Sequence, residues 1–284
     1  MHYLLQTKSS LELFCPIKHR KLLRLLLLLW IIMSKASIII PVYNRSAMMV
    51  DAVTSAQNQT LDDIEIIVVD NASTDDSFEA ALGIARKDKR VRVFRNDSNI
   101  GSVLNWKRGA SLANSQYSKL LFSDDLLGPK YLENSLPFLN DPGCALVYSS
   151  VNVASDPWSA KTPFYNNFIG NTKIRTALFI HASALADNFF PVSPGACISR
   201  TIDLQRNILT NLSGFESEYY ASTGAGVDML FYCITALNYE YVQYIDYCEV
   251  YFRAHLDSMS AHPAVPKCYE NAREFLSSAL IKSR

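Results

Sequence analysis

At 284 residues the chain is long enough for one large α/β domain or two small ones. Its 49% apolar and 19% charged content describes a globular protein with a sizeable core. With 27 basic and 27 acidic residues the net charge is zero, which removes support for nucleic acid as a partner, since that function wants a basic face.

The chain begins with a basic stretch, KHRKLLR (18 to 24), followed by one very apolar run, LLLLLWIIM (25 to 33). The run is shorter than the roughly 20 apolar residues that span a bilayer. Basic residues before a short apolar run resemble a signal peptide, with SKA as a cleavage site. Cleavage there would leave a mature chain that begins at the first core strand, on the wrong side of the membrane for the chemistry of its later segments. Two other readings are open. The segment lies on a membrane surface, held by its basic residues, as a peripheral membrane association. Or the protein starts at Met33, and MSKASIIIPVYNR is an ordinary cytosolic N-terminus; this is the preferred reading. Residues 1–33 are therefore set apart as a leader, 34–258 as the main domain and 259–284 as a C-terminal amphipathic helix. The cysteines (Cys15, Cys144, Cys197, Cys233, Cys248, Cys268) are scattered, with no C-x-x-C pair. They read as reduced thiols, which fits a cytoplasmic location or the inner face of the cell membrane.

From residue 36 the chain alternates. Apolar runs at 37–42, 64–69 and 91–94, each bounded by turn residues, predict strands. The spacing of Met49, Val50, Val53 and Ala56 predicts a helix over 46–58. A second helix over 74–87 starts on a Ser/Thr/Asp cap and carries Phe78, Ala81, Leu82 and Ala85. A third, over 101–113, follows a glycine and carries Val103, Leu104, Ala110 and Ala113. YSKLLF then gives a fourth strand, ending at Ser123. This β-α-β-α-β-α-β order predicts an α/β fold with a mostly parallel central sheet flanked by helices. Ligands of such sheets bind beyond the carboxyl ends of the strands.

Those ends are polar. The first runs into Pro41, Tyr43 and Asn44, the second stops at Asp70, and the fourth leads into Asp124 and Asp125. Adjacent carboxylates repel, and a hard divalent cation with oxygen ligands removes that repulsion and binds phosphate in turn. Otherwise the two aspartates cap the next helix. There is no G-x-G-x-x-G after the first strand and no G-x-x-x-x-G-K-[ST], so neither a Rossmann dehydrogenase nor a P-loop enzyme is expected.

From residue 36 to about 258 the chain resembles glycosyltransferase family 2, the inverting nucleotide-sugar transferases of the GT-A fold. The resemblance rests on SIIIPVYNR, IEIIVVDNASTDDS, NIGSVLNWKRGASLA, KLLFSDDLL, GFESEYYASTGAGVDMLFY and VYFRAHLDSMS, in the family's order and spacing. It implies a Rossmann-like nucleotide-binding half and an acceptor-binding half. Pro41, Tyr43 and Asn44 would line the base and ribose pocket, with packing over the sheet edge as the alternative for Tyr43. Asp70 would accept a hydrogen from a uracil or thymine imide, which implies a UDP- or dTDP-sugar donor. Asn105 and Lys107 would face the nucleotide, with a solvated face as the alternative for Lys107. Asp124 and Asp125 match the D-x-D region, Asp124 toward the nucleotide and Asp125 nearest a Mg²⁺ or Mn²⁺ ion. Phe122 stands where the commoner D-S-D-D form has its first aspartate.

Asp228, at the start of an apparent helix with Leu230, Phe231, Ile234 and Leu237 on one face, matches the catalytic base. That base would take the proton of the attacking acceptor hydroxyl. Val227 replaces the family's glutamate, while Gly214, Phe215 and Glu216 of G-F-x-E are present. Asp228 as a helix N-cap, or Glu216 or Glu218 as the base, are the alternatives. Arg253 and His255 match the family's R-x-H element. They would bind the diphosphate or order a loop over it, with His255 as a further metal ligand or as a structural histidine. The segment 150–213 would shape the acceptor site, with Trp158 and Tyr165 as ring faces and PVSPGACISR as an acceptor-side strand. The tail carries Ala272, Phe275, Leu276, Ala279 and Leu280 on one face, for packing on the domain or on a membrane or partner.

The implied function is inverting sugar transfer to a glycan or lipid-linked acceptor, with bacterial surface polysaccharide assembly as the usual setting. A degenerate transferase that binds a nucleotide-sugar without turnover is one alternative, kept open by Phe122 and Val227. A sugar nucleotidyltransferase is another, weakened because PVYNRS lacks the glycines such an enzyme wants.

Overall fold

A buried parallel strand must be apolar on both faces, and the first two strands are. The computed structural model describes residues 35–155, 162–185, 190–191, 193–210, 222–255, 258 and 262–282, all within one compact unit. The leader, Trp158 and residues 211–221, with Gly214 to Glu218, lie outside the described residues.

The first half alternates strand and helix: β1 (Ala36–Val42), α1 (Ser46–Gln57), β2 (Ile64–Asp70), α2 (Ser77–Ala85), β3 (Val91–Arg95), α3 (Ser102–Leu112) and β4 (Tyr117–Leu120). Every residue of β1 and β2 is buried. Their side chains divide by period two: Ile38, Ile40, Ile66 and Val68 pack under α1, while Ile39, Ile67 and Val69 pack with Trp106 and Ala110 of α3. Gly109 allows α3 to come this close, since a Cβ there would stand 2.4 Å from Ile39 Cγ2.

β3-β2-β1-β4 are all parallel, and Val42, Asp70 and Arg95 share one row at the carboxyl edge. Pro41 in a central strand is accounted for here. Leu121 N–H donates to Ile39 O at 2.9 Å, so Ile39 and, two residues on, Pro41 face β4. The register with β4 ends at Leu120, leaving no ladder bond for a Pro41 N–H to make.

The second half comprises β5 (Leu126–Leu127), α4 (Tyr131–Leu139), β6 (Cys144–Ala154), β7 (Thr162–Phe164), β8 (Thr172–Arg175), α5 (Thr176–Leu185), β9 (Cys197–Arg200), α6 (Thr201–Asn207), α7 (Val227–Ala236), β10 (Tyr241–Arg253) and α8 (Val265–Lys282). It extends the same sheet in the order β3-β2-β1-β4-β9-β6-β10-β5, with β7 on β6 and β8 on β10. β9 runs antiparallel to both β4 and β6, and β6 and β10 are parallel. The parallel sheet expected from sequence therefore holds for the first half, and the second is mixed.

Three predicted helix faces shift. Leu104 is 44% exposed, and Trp106 fills the α3 face in its place. Helix α7 is buried all round from Val227 to Cys233, while Leu237 after its end is exposed. On α8 the buried stripe is Val265, Cys268, Ala272 and Leu276, with Phe275 outside it at 38% exposure. Among the described residues no helix is long and apolar enough to cross a membrane.

Candidate functional site

Parallel strands end in one row, so the loops that leave them crowd together. Two hollows open beyond the carboxyl ends of β1 and β4. One, of about 300 Å³, is walled by Pro41, Tyr43, Arg45, Asn71 and Asn105. The other, of about 500 Å³, is walled by Asp125, Asp228, Tyr165, Phe252, His255 and Tyr269. Trp106, Phe122 and Asp124 face both hollows. The Trp106 and Phe122 rings pack against each other with centroids 5.2 Å apart. Phe122, the departure from the commoner acidic motif, is thus half of an aromatic wall.

The acidic motif sits in a turn, with Asp125 N–H donating to Phe122 O at 3.0 Å. The next helix begins only at Tyr131, so neither aspartate caps it. His255 Nε2 lies 2.9 Å from Asp124 Oδ2 and 3.2 Å from Arg45 Nη1, joining carboxylate, imidazole and guanidinium in one cluster. Asp125 is buried and accepts from the Arg253 backbone N–H at 3.2 Å. Burial, then the neighbouring Asp124 charge, pushes its carboxyl well above the usual range. Lys119, fully buried on β4, donates to Gly195 O and stands over the Tyr131 ring. Its burial lowers the ammonium to about 8, and its charge favours an ionised Asp125. Lys119 bore no signal in the sequence, because an isolated lysine in YSKLLF reads as solvated.

Asp228 lies in the first turn of α7, whose N-cap is Gly226. Its Oδ1 accepts from Met229 N–H at 2.7 Å and its Oδ2 from the Tyr269 hydroxyl at 2.6 Å. Burial raises the carboxyl to about 7 against these two donors and the Gly226 and Asp228 backbone N–H groups. Tyr269 is the second residue that the sequence did not flag.

The residues expected at the nucleotide divide into two groups. Pro41, Tyr43, Asn105 and Asp124 line the smaller hollow, and Tyr43 is 43% exposed there. Asp70, Asn44 and Lys107 stand elsewhere. Asp70 is fully buried, its carboxylate 3.2 Å from Ser73 N–H and 3.3 Å from Arg95 Nε. Asn71, the next residue, is the one on the wall. Asn71 belongs to an amide network in which its Nδ2 donates to Asn99 Oδ1 at 2.8 Å and its Oδ1 accepts from Asn96 Nδ2 at 2.7 Å. Asn44, at a φ of +51°, holds a turn, its Oδ1 accepting from Thr74 N–H at 2.7 Å. Lys107 Nζ turns to Ile208 O at 3.3 Å. The Arg253 guanidinium likewise faces away, pairing with Asp51 at 3.0 Å.

As donors, two adjacent carboxylates and an imidazole suit a divalent cation. Among the described residues no three side chains of His, Cys, Asp or Glu stand close enough to hold an ion alone. That arrangement fits a cation whose shell is completed by a ligand's phosphates and water, as is usual for Mg²⁺.

The family model named Glycosyl transferase family 2 matches residues 37–200. An uncharacterized glycosyltransferase of Haemophilus influenzae is 38% identical over 103 residues, 36% of this chain and 41% of that protein. Glycosyltransferase GlyG of Streptococcus pneumoniae is 34% identical over 34% of this chain and 32% of its own length. A Campylobacter jejuni protein named GalNAc(5)-diNAcBac-PP-undecaprenol beta-1,3-glucosyltransferase is 34% identical over 34% of this chain and 31% of its own. Each match spans less than half of the relative. Among solved structures, S. aureus TarS 1-349 in complex with UDP-GlcNAc shares the fold at a TM-score of 0.67 and 18% identity, over 86% of this chain and 66% of that one. The same TarS fragment with UDP gives 0.61 at 17% identity, over 85% and 69%. With the family model covering residues 37–200 and the GT-A fold of TarS over most of its length, this chain belongs to glycosyl transferase family 2.

Proposed function

We propose that the protein is an inverting glycosyltransferase that moves a sugar from a UDP- or dTDP-sugar to a glycan or lipid-linked acceptor. The observation that carries this reading is that Asp125 and Asp228, from distant parts of the chain, line one hollow beside a second walled by Tyr43 and Asn105. The nucleotide occupies the smaller hollow, with its base against Tyr43. Its diphosphate reaches Asp124, His255 and Arg45, and the acceptor enters the larger one. Family membership supports the activity, the named complexes of TarS support a nucleotide-sugar donor, and the Campylobacter relative's name supports a lipid-linked acceptor.

Asp228 takes the acceptor hydroxyl's proton as that oxygen attacks the anomeric carbon. A base near 7 is matched to neutral pH: ionised often enough to act and basic enough to draw the proton. Arg45 puts positive charge beside the departing diphosphate, and Trp106 and Phe122 keep water from the attacking oxygen. Asp125, with Asp124 and His255, would hold Mg²⁺ or Mn²⁺, which supplies charge neutralisation for the leaving nucleotide.

A thermal-shift panel tests this. At about 100 times Kd, UDP with Mn²⁺ is expected to add roughly 2.7 kcal/mol, or about 5–10 °C. Asp125→Ala should lose that metal-dependent part; an unchanged shift would remove Asp125 from the metal site. Nucleotide release from a matching donor should accompany binding. Binding without release would favour the degenerate reading.

A further inference from the structure

A carboxylate buried enough to reach about 7 would rise higher still unless something held its charged form. For Asp228 the largest such hold comes from a distant segment. Tyr269 on α8, 41 residues further along, donates its hydroxyl to Oδ2 at 2.6 Å. Among the described residues it is the one side chain that hydrogen-bonds this carboxylate. The contact is built, not incidental. Gly226, at a φ of +85°, brings the loop before Asp228 so close to α8 that a Cβ would stand 2.8 Å from the Cys268 carbonyl oxygen. Val265, Cys268 and Ala272 bury their side of α8, while Val265 and Tyr269 also form part of the larger hollow's wall.

We propose that α8 is a working part of the site and that Tyr269 is a positioning residue, fixing Asp228 Oδ2 and setting how tightly that carboxylate holds a proton. The proposal rests on the transferase reading for its consequence in catalysis. Met229 N–H and Tyr269 engage one oxygen each, with the Gly226 and Asp228 backbone N–H groups as further donors, so the Tyr269 bond is the one that a side-chain change can remove. Cys268 faces Asp228 from α8, and Asp124, Asp125, Arg253, His255 and Tyr165 share the hollow. None of these groups hydrogen-bonds the Asp228 carboxylate, and all stay in place when Tyr269 changes.

The test is Tyr269→Phe, read in two ways. The Asp228 carboxyl midpoint is followed by carbon-13 NMR, assigned by its absence in Asp228→Asn, and kcat is followed against pH with a donor that turns over. Losing the hydroxyl removes a bond to the charged form, so the midpoint should rise by about one unit. The acid limb of kcat should rise with it, costing about tenfold in rate at pH 6 and little at pH 9. A midpoint and limb that superpose on the native ones overturn the proposal. Should Tyr269→Phe fail to fold, 3,5-difluorotyrosine placed at 269 keeps the hydroxyl and strengthens the donor; the midpoint must then fall, and an unmoved midpoint overturns the proposal equally. The titration needs no turnover. A shifted midpoint in a protein that transfers no sugar therefore sinks the transferase reading, and an unshifted one in an active protein sinks the role of Tyr269.

Discussion

Asp228→Asn is expected to cut sugar transfer by roughly 10²–10⁴-fold, the contribution of a positioned base, with donor binding retained. The same change should alter how stability depends on pH. The folded carboxyl holds its proton up to about 7, against an ordinary 3.8 when unfolded. Between those values the folded state binds more protons than the unfolded one, so the stability contributed by Asp228 falls as pH rises and is gone above 7. The native protein should lose up to about 4 kcal/mol relative to the variant across that window. Parallel curves of Tm against pH for the two proteins would show that Asp228 is not a buried, reluctant acid.

The second large effect comes from a glycine. Gly224 has a φ of +74°, and a Cβ there would fall 1.9 Å from Trp106 Cη2. Gly224→Ala therefore combines backbone strain with a collision against a ring that is 4% exposed and has little room to retreat. The expected cost is about 3–5 kcal/mol, on the order of 10 °C in Tm. Tryptophan fluorescence should shift as well, because Trp106 is the ring that must move. A variant melting within a degree or two of the native protein would mean that the loop, not the ring, yields.

The first half of the fold was legible because its strands are buried on both faces. Continuous apolar runs broken by polar clusters placed β1, β2 and β3 within a residue of their observed ends. The mixed half was not legible. CISR is four residues long, and nothing local says that it runs antiparallel between β4 and β6. In the site, Asp124 and Asp125, read from a strand end, and Asp228 and His255, carried by the family resemblance, line one hollow. Asp70 illustrates the limit of such reasoning. Successive residues of a strand point oppositely, so the last strand residue turned inward to Arg95 while Asn71 took the wall. Lys119 and Tyr269 matter through partners 76 and 41 residues away, which no window of sequence contains.

The rings of Trp106 and Phe122 are a partition with two tenants. Both chambers press on the same two side chains, so an occupant that displaced either ring would change the shape offered on the other side. In the proposed transferase, thermodynamic reciprocity would then require that nucleotide and acceptor alter each other's affinity by one common factor. Calorimetric titration of each in the presence and absence of the other measures that factor. A value of one would mean that the partition is rigid and the chambers deaf to each other.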